Sequence, residues 1–378
     1  MNLQLLSIGE ALPGRDLPGL QVSNQQLASA VVQFREENAL DFAVPDVEFS
    51  RERVGVSSRR FLDHRLNAYD MGLVAARQAC AAAAIDPDRY RVVVVSSVTP
   101  PWSIPAQAAL LQADLGFSND LVAFDTPIGC NGYLGGVHLV RCLLRAAPAG
   151  SAGLLVTTEA MTRTIDATDR QTSVIFGDAA AATVFVNGPL DGVGEVAWST
   201  MGSKGKLLAI EPEPGPTFRF HVDGAQLSLQ ADPHSSLRVR MDGRQVFKDM
   251  VTDLPRRITL ELERRGRNLL DYHAIAFHQA NQRIVDAVTS RLKAPQDRIL
   301  SNIGQLGNTS SASIPLMLAD AARNGRLCHG QRVLLVGFGT GYSVGVTELL
   351  WTAVPNKPVP AISSTPAREC AVARVSGP

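Results

Sequence analysis

Apolar residues in this chain gather in short continuous runs, and between the runs they recur at helical spacing, so that the two patterns alternate along most of the sequence. Residues 3–12 read as a first strand. Residues 22–34 carry a helical pattern, with Ser23 or Asn24 placed to cap it. Residues 68–84 form an alanine-rich helix, and RVVVVSSV at 91–98 is apolar without a break, the pattern of a strand buried on both faces. A helix at 106–115 and a strand at 121–124 come next. Strands follow at 153–160 and within 172–188, where a run of tiny residues implies close backbone packing. The second half repeats the plan, with strand-bearing units at 194–202, 273–281, 298–308, 331–341 and 343–353 and helices at 246–265, 281–293 and 311–324. This repetition predicts an α/β protein made of a duplicated unit, most simply two mainly parallel sheets covered by helices. The halves divide as 1–188 and 189–355. Residues 203–240 read as a looser insertion, and 356–378, rich in Pro, Ser and Ala without periodicity, as a flexible tail.

The strand at 121–124 runs through Asp125, Pro127 and Gly129 into a helix that begins just after Cys130. A sulfur at a helix start meets unpaired amides and the positive end of the helix dipole, which favour a thiolate over a thiol. A free cysteine can equally pack as a small inert hydrophobe. Gly129, Gly132, Gly135 and Gly136 crowd this one, however, and glycines let a ligand approach the backbone.

Composition narrows the classes of function. Lys plus Arg equals Asp plus Glu at 36 each, so net charge gives no sign of a nucleic-acid or membrane-surface protein. Five cysteines, with no CxxC pair, argue against a disulfide framework or a structural zinc site. The N-terminus lacks a basic stretch followed by an apolar core, and no run reaches membrane-spanning length, which predicts a cytoplasmic location. Residues 45–65 carry five arginines, a solvated face or a phosphate-binding patch. His278 and Asn308 stand after strand-like runs in the second half as Cys130 does in the first, and the carboxyl ends of parallel strands are where such sheets bind ligands.

IGCNGYLGG around Cys130, IFGDAAAA at 175–182, MDGRQVFK at 241–248, HQANQRI at 278–284, GNTSSASIP at 307–315 and GFGTGYSVG at 337–345 occur in one order. The chain thereby resembles the thiolase superfamily and, within it, β-ketoacyl-acyl-carrier-protein synthase III, over about residues 1–353. The resemblance implies a five-layered α-β-α-β-α fold and a homodimer. It implies that Cys130 takes an acyl group from a coenzyme A thioester, with backbone amides at Cys130 and Thr340 holding the oxyanion. His278 and Asn308 would stabilise the enolate left when a malonyl thioester, on coenzyme A or a carrier protein, loses carbon dioxide. No permanently bound cofactor or metal is implied, and fatty-acid or specialised polyketide synthesis is the implied setting. The GFGTGYSVG loop lacks the second cysteine of thiolases themselves.

Carried over residue by residue, Phe49, Arg53, Arg170, Arg244 and Asn281 would bind coenzyme A or its pantetheine arm. Lys248, Arg283 and Arg291 would dock an acidic carrier protein. Phe49 stands where the family generally has a tryptophan, Arg244 where many members have Asn, and Ile104 where an aromatic residue crosses the dimer to line the acyl pocket. Two other readings stay open: an acyltransferase delivering the acyl group to an oxygen or nitrogen nucleophile, and a non-catalytic partner subunit.

Overall fold

The central strands show why this sequence builds sheets. In the run Tyr90–Ser96 the side chains of Val92 and Val94 enter one apolar cluster and those of Val93 and Val95 another, so the strand is buried on both faces by simple alternation. The computed structural model describes residues 2–42, 44–45, 47–169, 171–212, 217–232 and 237–353. Arg170 and the tail at 356–378 lie outside the described residues.

Numbering only the elements of the two large sheets and the helices upon them, the first half runs β1 (Leu3–Ala11), α1 (Ala68–Ala83), β2 (Tyr90–Ser96), α2 (Gln107–Asp114), β3 (Val122–Thr126), α3 (Gly132–Leu144), β4 (Ala152–Glu159) and β5 (Ala179–Asn187). The second runs β6 (Ala197–Thr200), α4 (Gly243–Arg264), β7 (Ala274–Phe277), α5 (Gln282–Leu292), β8 (Ile299–Leu300), α6 (Ser313–Arg323), β9 (Arg332–Gly339) and β10 (Ser343–Leu350). The first sheet is ordered β1-β5-β4-β2-β3 and the second β6-β10-β9-β7-β8. Adding five to each strand of one gives the other, so the duplication read from the pattern is present in the topology.

The sheets are mixed rather than mainly parallel. β4-β2-β3 and β9-β7-β8 are parallel, as their intervening helices require, but β4 and β9 return directly into antiparallel β5 and β10, which pair in turn with antiparallel β1 and β6. Between the sheets lie α3 and α6, whose Leu134, Val137, Val140, Leu144, Ile314, Leu316 and Leu318 meet apolar faces of both. Each such buried side chain contributes roughly 1.5–3 kcal/mol. α1 and α2 cover the outer face of the first sheet, α4 and α5 that of the second, which completes five layers. Ser23 caps the helix Asn24–Glu37 in a reciprocal pair with Gln26.

The insertion at 203–240 is more regular than its composition implies. Leu208–Pro212 pairs with Leu237–Met241, and Thr217–Asp223 with Gln226–Asp232 about a turn at Gly224. The alternation in TFRFHVD and QLSLQAD on either side of Asp223-Gly224 carries that hairpin signal. Both outcomes foreseen for the arginines at 45–65 are partial. Arg59 is fully buried, donating to Val174 O at 2.7 Å and to Ser50 Oγ at 3.3 Å, and Arg65 grips Asp63. Arg53 alone of the five lines a large cavity.

Candidate active site

Three loops at the carboxyl ends of parallel strands converge on one point. β3 leads through a tight turn, Gly129–Asn131, into α3, and puts Cys130 in that turn. His278 follows β7 directly, and Asn308 lies between β8 and α6. All three side chains line a single cavity of about 670 Å³.

The cysteine is fixed by close backbone approach. A Cβ on Gly339, the last residue of β9, would stand 2.5 Å from Cys130 Cβ, so only glycine fits there. Thr340 then donates its hydroxyl to Ile128 O at 2.7 Å, and a Cβ on Gly129 would collide with that same hydroxyl. Cys130 is 5% exposed. Burial pushes its thiol up to about 12, assisted by the Glu159 carboxylate and opposed by hydrogen bonds from Ser310 and its own amide. The helix start does not win here: without a bound substrate, desolvation outweighs the dipole and the sulfur rests as a thiol.

His278 is 1% exposed, and burial holds it down at about 3, so it is neutral at physiological pH. Its Nδ1 lies 2.6 Å from Ser313 Oγ, which also accepts the Gln279 N–H at 3.4 Å. Ser313 Oγ has no other acceptor among the described residues, and with its proton donated to Nδ1 the ring hydrogen is left on Nε2. Nε2 is buried and has no hydrogen-bond partner among the described residues. Asn308 presents a donor by the same logic. Its Oδ1 accepts the Ser310 N–H at 2.8 Å, and its backbone bonds Ile175 O and Gly177 N, so the amide nitrogen is left to face a ligand.

Phe49, Arg53, Arg244, Asn281 and Arg283 line the same cavity. Asn281 also caps α5 by accepting the Arg283 N–H at 2.9 Å, and the Arg283 guanidinium sits 5.2 Å from the Phe247 ring centroid. Lys248 and Arg291 do not line it; they are exposed on α4 and α5, with Arg291 bonded to Val251 O at 2.5 Å.

A second cavity of about 690 Å³ also reaches Cys130, lined by Trp102, Met161, Phe176, Leu208, Ile210 and Val239 among others. Sequence reasoning missed it because the insertion supplies part of its wall. Ile104 lines neither cavity of its own chain and is 85% exposed. Asp63, His64 and Asp223 form the sole metal-like cluster among the described residues; it lies outside both cavities, and Arg65 neutralises Asp63. No described helix is long and apolar enough to cross a membrane.

The family model of 3-oxoacyl-[acyl-carrier-protein (ACP)] synthase III matches residues 124–205, and the model of its C-terminal part matches residues 262–351. A β-ketoacyl-[acyl-carrier-protein] synthase III of Nitratidesulfovibrio vulgaris is 36% identical over 80% of this chain and 88% of its own length. The solved 3-oxoacyl-(acyl carrier protein) synthase III of Pseudomonas aeruginosa PAO1 superposes with a TM-score of 0.76 at 31% identity, covering 95% of this chain and all of that one. The priming β-ketosynthase of the R1128 polyketide pathway gives 0.78 at 28%, covering 94% and 97%. Fold and buried cysteine thus define a thiolase-fold acyltransferase. Within that class the chain belongs to the β-ketoacyl-acyl-carrier-protein synthase III family.

Proposed function

We propose that this enzyme loads an acyl group from acyl-CoA onto Cys130 and condenses it with a malonyl thioester, in fatty-acid or polyketide synthesis. The observation that carries the reading is the shared cavity in which a thiol, the Nε2–H of a neutral histidine and an amide nitrogen meet. Cys130 displaces coenzyme A, and the amides of Cys130 and Thr340 hold the developing oxyanion. The malonyl carboxylate then leaves as carbon dioxide while His278 and Asn308 stabilise the enolate oxygen. The new carbanion attacks the acyl carbon, the bond to Cys130 breaks and the sulfur takes up a proton.

Two cavities that share Cys130 in their walls support a division of the substrate. Phe49, Arg53 and Arg244, joined by Arg170 and Asn281, take coenzyme A, and the second cavity takes the acyl chain. Arg283 at the mouth, with Lys248 and Arg291 beside it, suits an acidic carrier protein. A homodimer accords with β3, an apolar edge strand whose Val122 is 48% exposed, and with the exposed Ile104, which would reach a partner's acyl cavity. The reaction requires no resident cofactor, and a cytoplasmic location fits its substrates.

Intact-mass measurement after exposure to a panel of acyl-CoAs, followed by addition of malonyl-carrier protein or malonyl-CoA, tests the reading. An adduct on Cys130, carbon dioxide release and a 3-oxoacyl product are expected. Transfer to an oxygen or nitrogen nucleophile with no carbon dioxide released would overturn condensation.

A further inference from the structure

We propose that the acyl group loaded on Cys130 is a linear apolar chain of roughly six to ten carbons, and that Ile210 and Val239, which face each other on the ribbon of the insertion, select that length. The inference deepens the reading that acyl-CoA acylates Cys130 with its chain in the second cavity, and rests on it.

The two cavities ask for different chemistry. In the first, His278 Nε2 has no hydrogen-bond partner among the described residues, and Arg53 and Arg244 add cations, so a polar ligand is called for. In the second, most polar side chains of the wall are already engaged by the protein. The hydroxyls of Thr99 and Ser310 donate to Glu159 at 3.1 Å, that of Thr164 to Met161 O at 2.9 Å and that of Thr340 to Ile128 O at 2.7 Å, while the Trp102 indole N–H donates to Pro105 O at 2.7 Å. Arg163, the sole charged side chain among the described residues of that wall, is tied through Nη2 to the carbonyls of Asp63 at 3.0 Å and Leu66 at 3.4 Å. Met161, Phe176, Leu208, Ile210 and Val239 offer a ligand hydrocarbon. A polar acyl group would lose its water there without gaining partners, whereas an apolar one gains with every methylene it buries.

Length follows from the ribbon. In its register Leu208 faces Met241, Ile210 faces Val239 and Pro212 faces Leu237, and alternate positions of a strand share one side. Met241 lines the first cavity, Leu208 lines both, and Ile210, Val239 and Leu237 line the second, where Leu237 is 45% exposed. Cys130, Phe176 and Leu208 are the residues the two cavities share, so the ribbon runs from their meeting point outward to the surface. Strand residues advance about 3.3 Å each, which puts the Ile210–Val239 pair about 7 Å along this path and the rim about 13 Å. Carbon–carbon bonds of about 1.5 Å follow a zigzag, so a chain passes the pair after roughly six atoms and meets the rim after roughly ten. Volume agrees with length. About 690 Å³ lies in the range that encloses a whole drug-sized molecule, and a two-carbon acyl group would leave Ile210 and Val239 untouched.

The test is single-turnover acylation of full-length protein by acetyl-, butanoyl-, hexanoyl-, octanoyl- and decanoyl-CoA, and by adipyl-CoA, the counterpart of hexanoyl-CoA with a terminal carboxylate. Intact mass reads the adduct and gives a second-order rate constant for each donor. Octanoyl-CoA should exceed acetyl-CoA by about 10²-fold or more, since each buried methylene is worth about a fourfold gain. Adipyl-CoA should react about 10²-fold more slowly than hexanoyl-CoA, because its carboxylate meets an apolar wall. Ile210→Phe and Val239→Phe each put a ring midway along the path, and each should lower the octanoyl-to-acetyl ratio about tenfold. A ratio taken within one variant is unaffected by how much of the sample is folded. Acetyl-CoA or adipyl-CoA as the best donor of the wild type, or an octanoyl-to-acetyl ratio unmoved in both variants, would overturn the proposal. If neither variant folds, the wild-type series decides. Absence of an adduct on Cys130 with every acyl-CoA would instead defeat the functional reading beneath it.

Discussion

The turns Gly129–Asn131 and Ser310–Ala312 occupy equivalent places, each just before the inner helix of its repeat, yet they are held in opposite ways. The first lies against Gly339, the last residue of β9; the second is gripped by Glu159, the last residue of β4. One strand end brings bare backbone up to a thiol and the other brings a carboxylate up to two hydroxyls. Duplication therefore supplied two matching frames, and the residue ending each fourth strand decided what chemistry the frame holds. Cys130 sits in the frame stripped of side chains, and Asn308, proposed to bind the enolate, sits in the one crowded with hydrogen bonds.

The comparison breaks most completely at the sulfur. Cys130→Ala should abolish the acyl-enzyme while circular dichroism and melting stay near wild type, since little packing volume is lost. An adduct mapped instead to Cys80, Cys142, Cys328 or Cys370 would move the nucleophile elsewhere. Gly339→Ala should come next, with acylation slowed about 10²-fold, because the added methyl displaces Cys130 by ångström-scale distances and misplacement of that size costs about that much. Acylation kinetics check it.

Much of this contrast was legible before the structure. Cys130, His278 and Asn308 stand in distinctive local sequences, and the alternation of buried runs with helical spacing gave both repeats. Other parts were not. β5 and β10 turn back antiparallel through loops whose direction no apolar pattern encodes. Glu159 and Ser310 hide within GLLVTTEA and GNTSSASIP, where a polar residue looks the same whether it faces solvent or a buried partner. The second cavity depends on a ribbon far along the chain, so no local window reports it.

Finer tests sharpen the contrast. Ser313→Ala removes the donor that fixes the His278 tautomer, so decarboxylation should fall about tenfold while Cys130 acylation is unchanged. Equal rates in wild type and variant would mean that the tautomer is set otherwise. Smaller still, Arg283→Glu should weaken use of malonyl-carrier protein severalfold at low salt, less at high salt, with malonyl-CoA turnover hardly altered. Equal losses with both donors would assign Arg283 to the cavity instead of a docking face.

The central claim is that the two frames divide the work, the first taking the acyl group and the second the malonyl unit. The direct measurement follows both steps in one sample of Asn308→Ala and one of His278→Ala, with intact mass for the acyl adduct and evolved carbon dioxide for decarboxylation. The account predicts acylation close to wild type and carbon dioxide release reduced about 10²- to 10³-fold, the loss typical of one oxyanion donor. Decarboxylation at the wild-type rate, or acylation falling in step with it, would contradict the division.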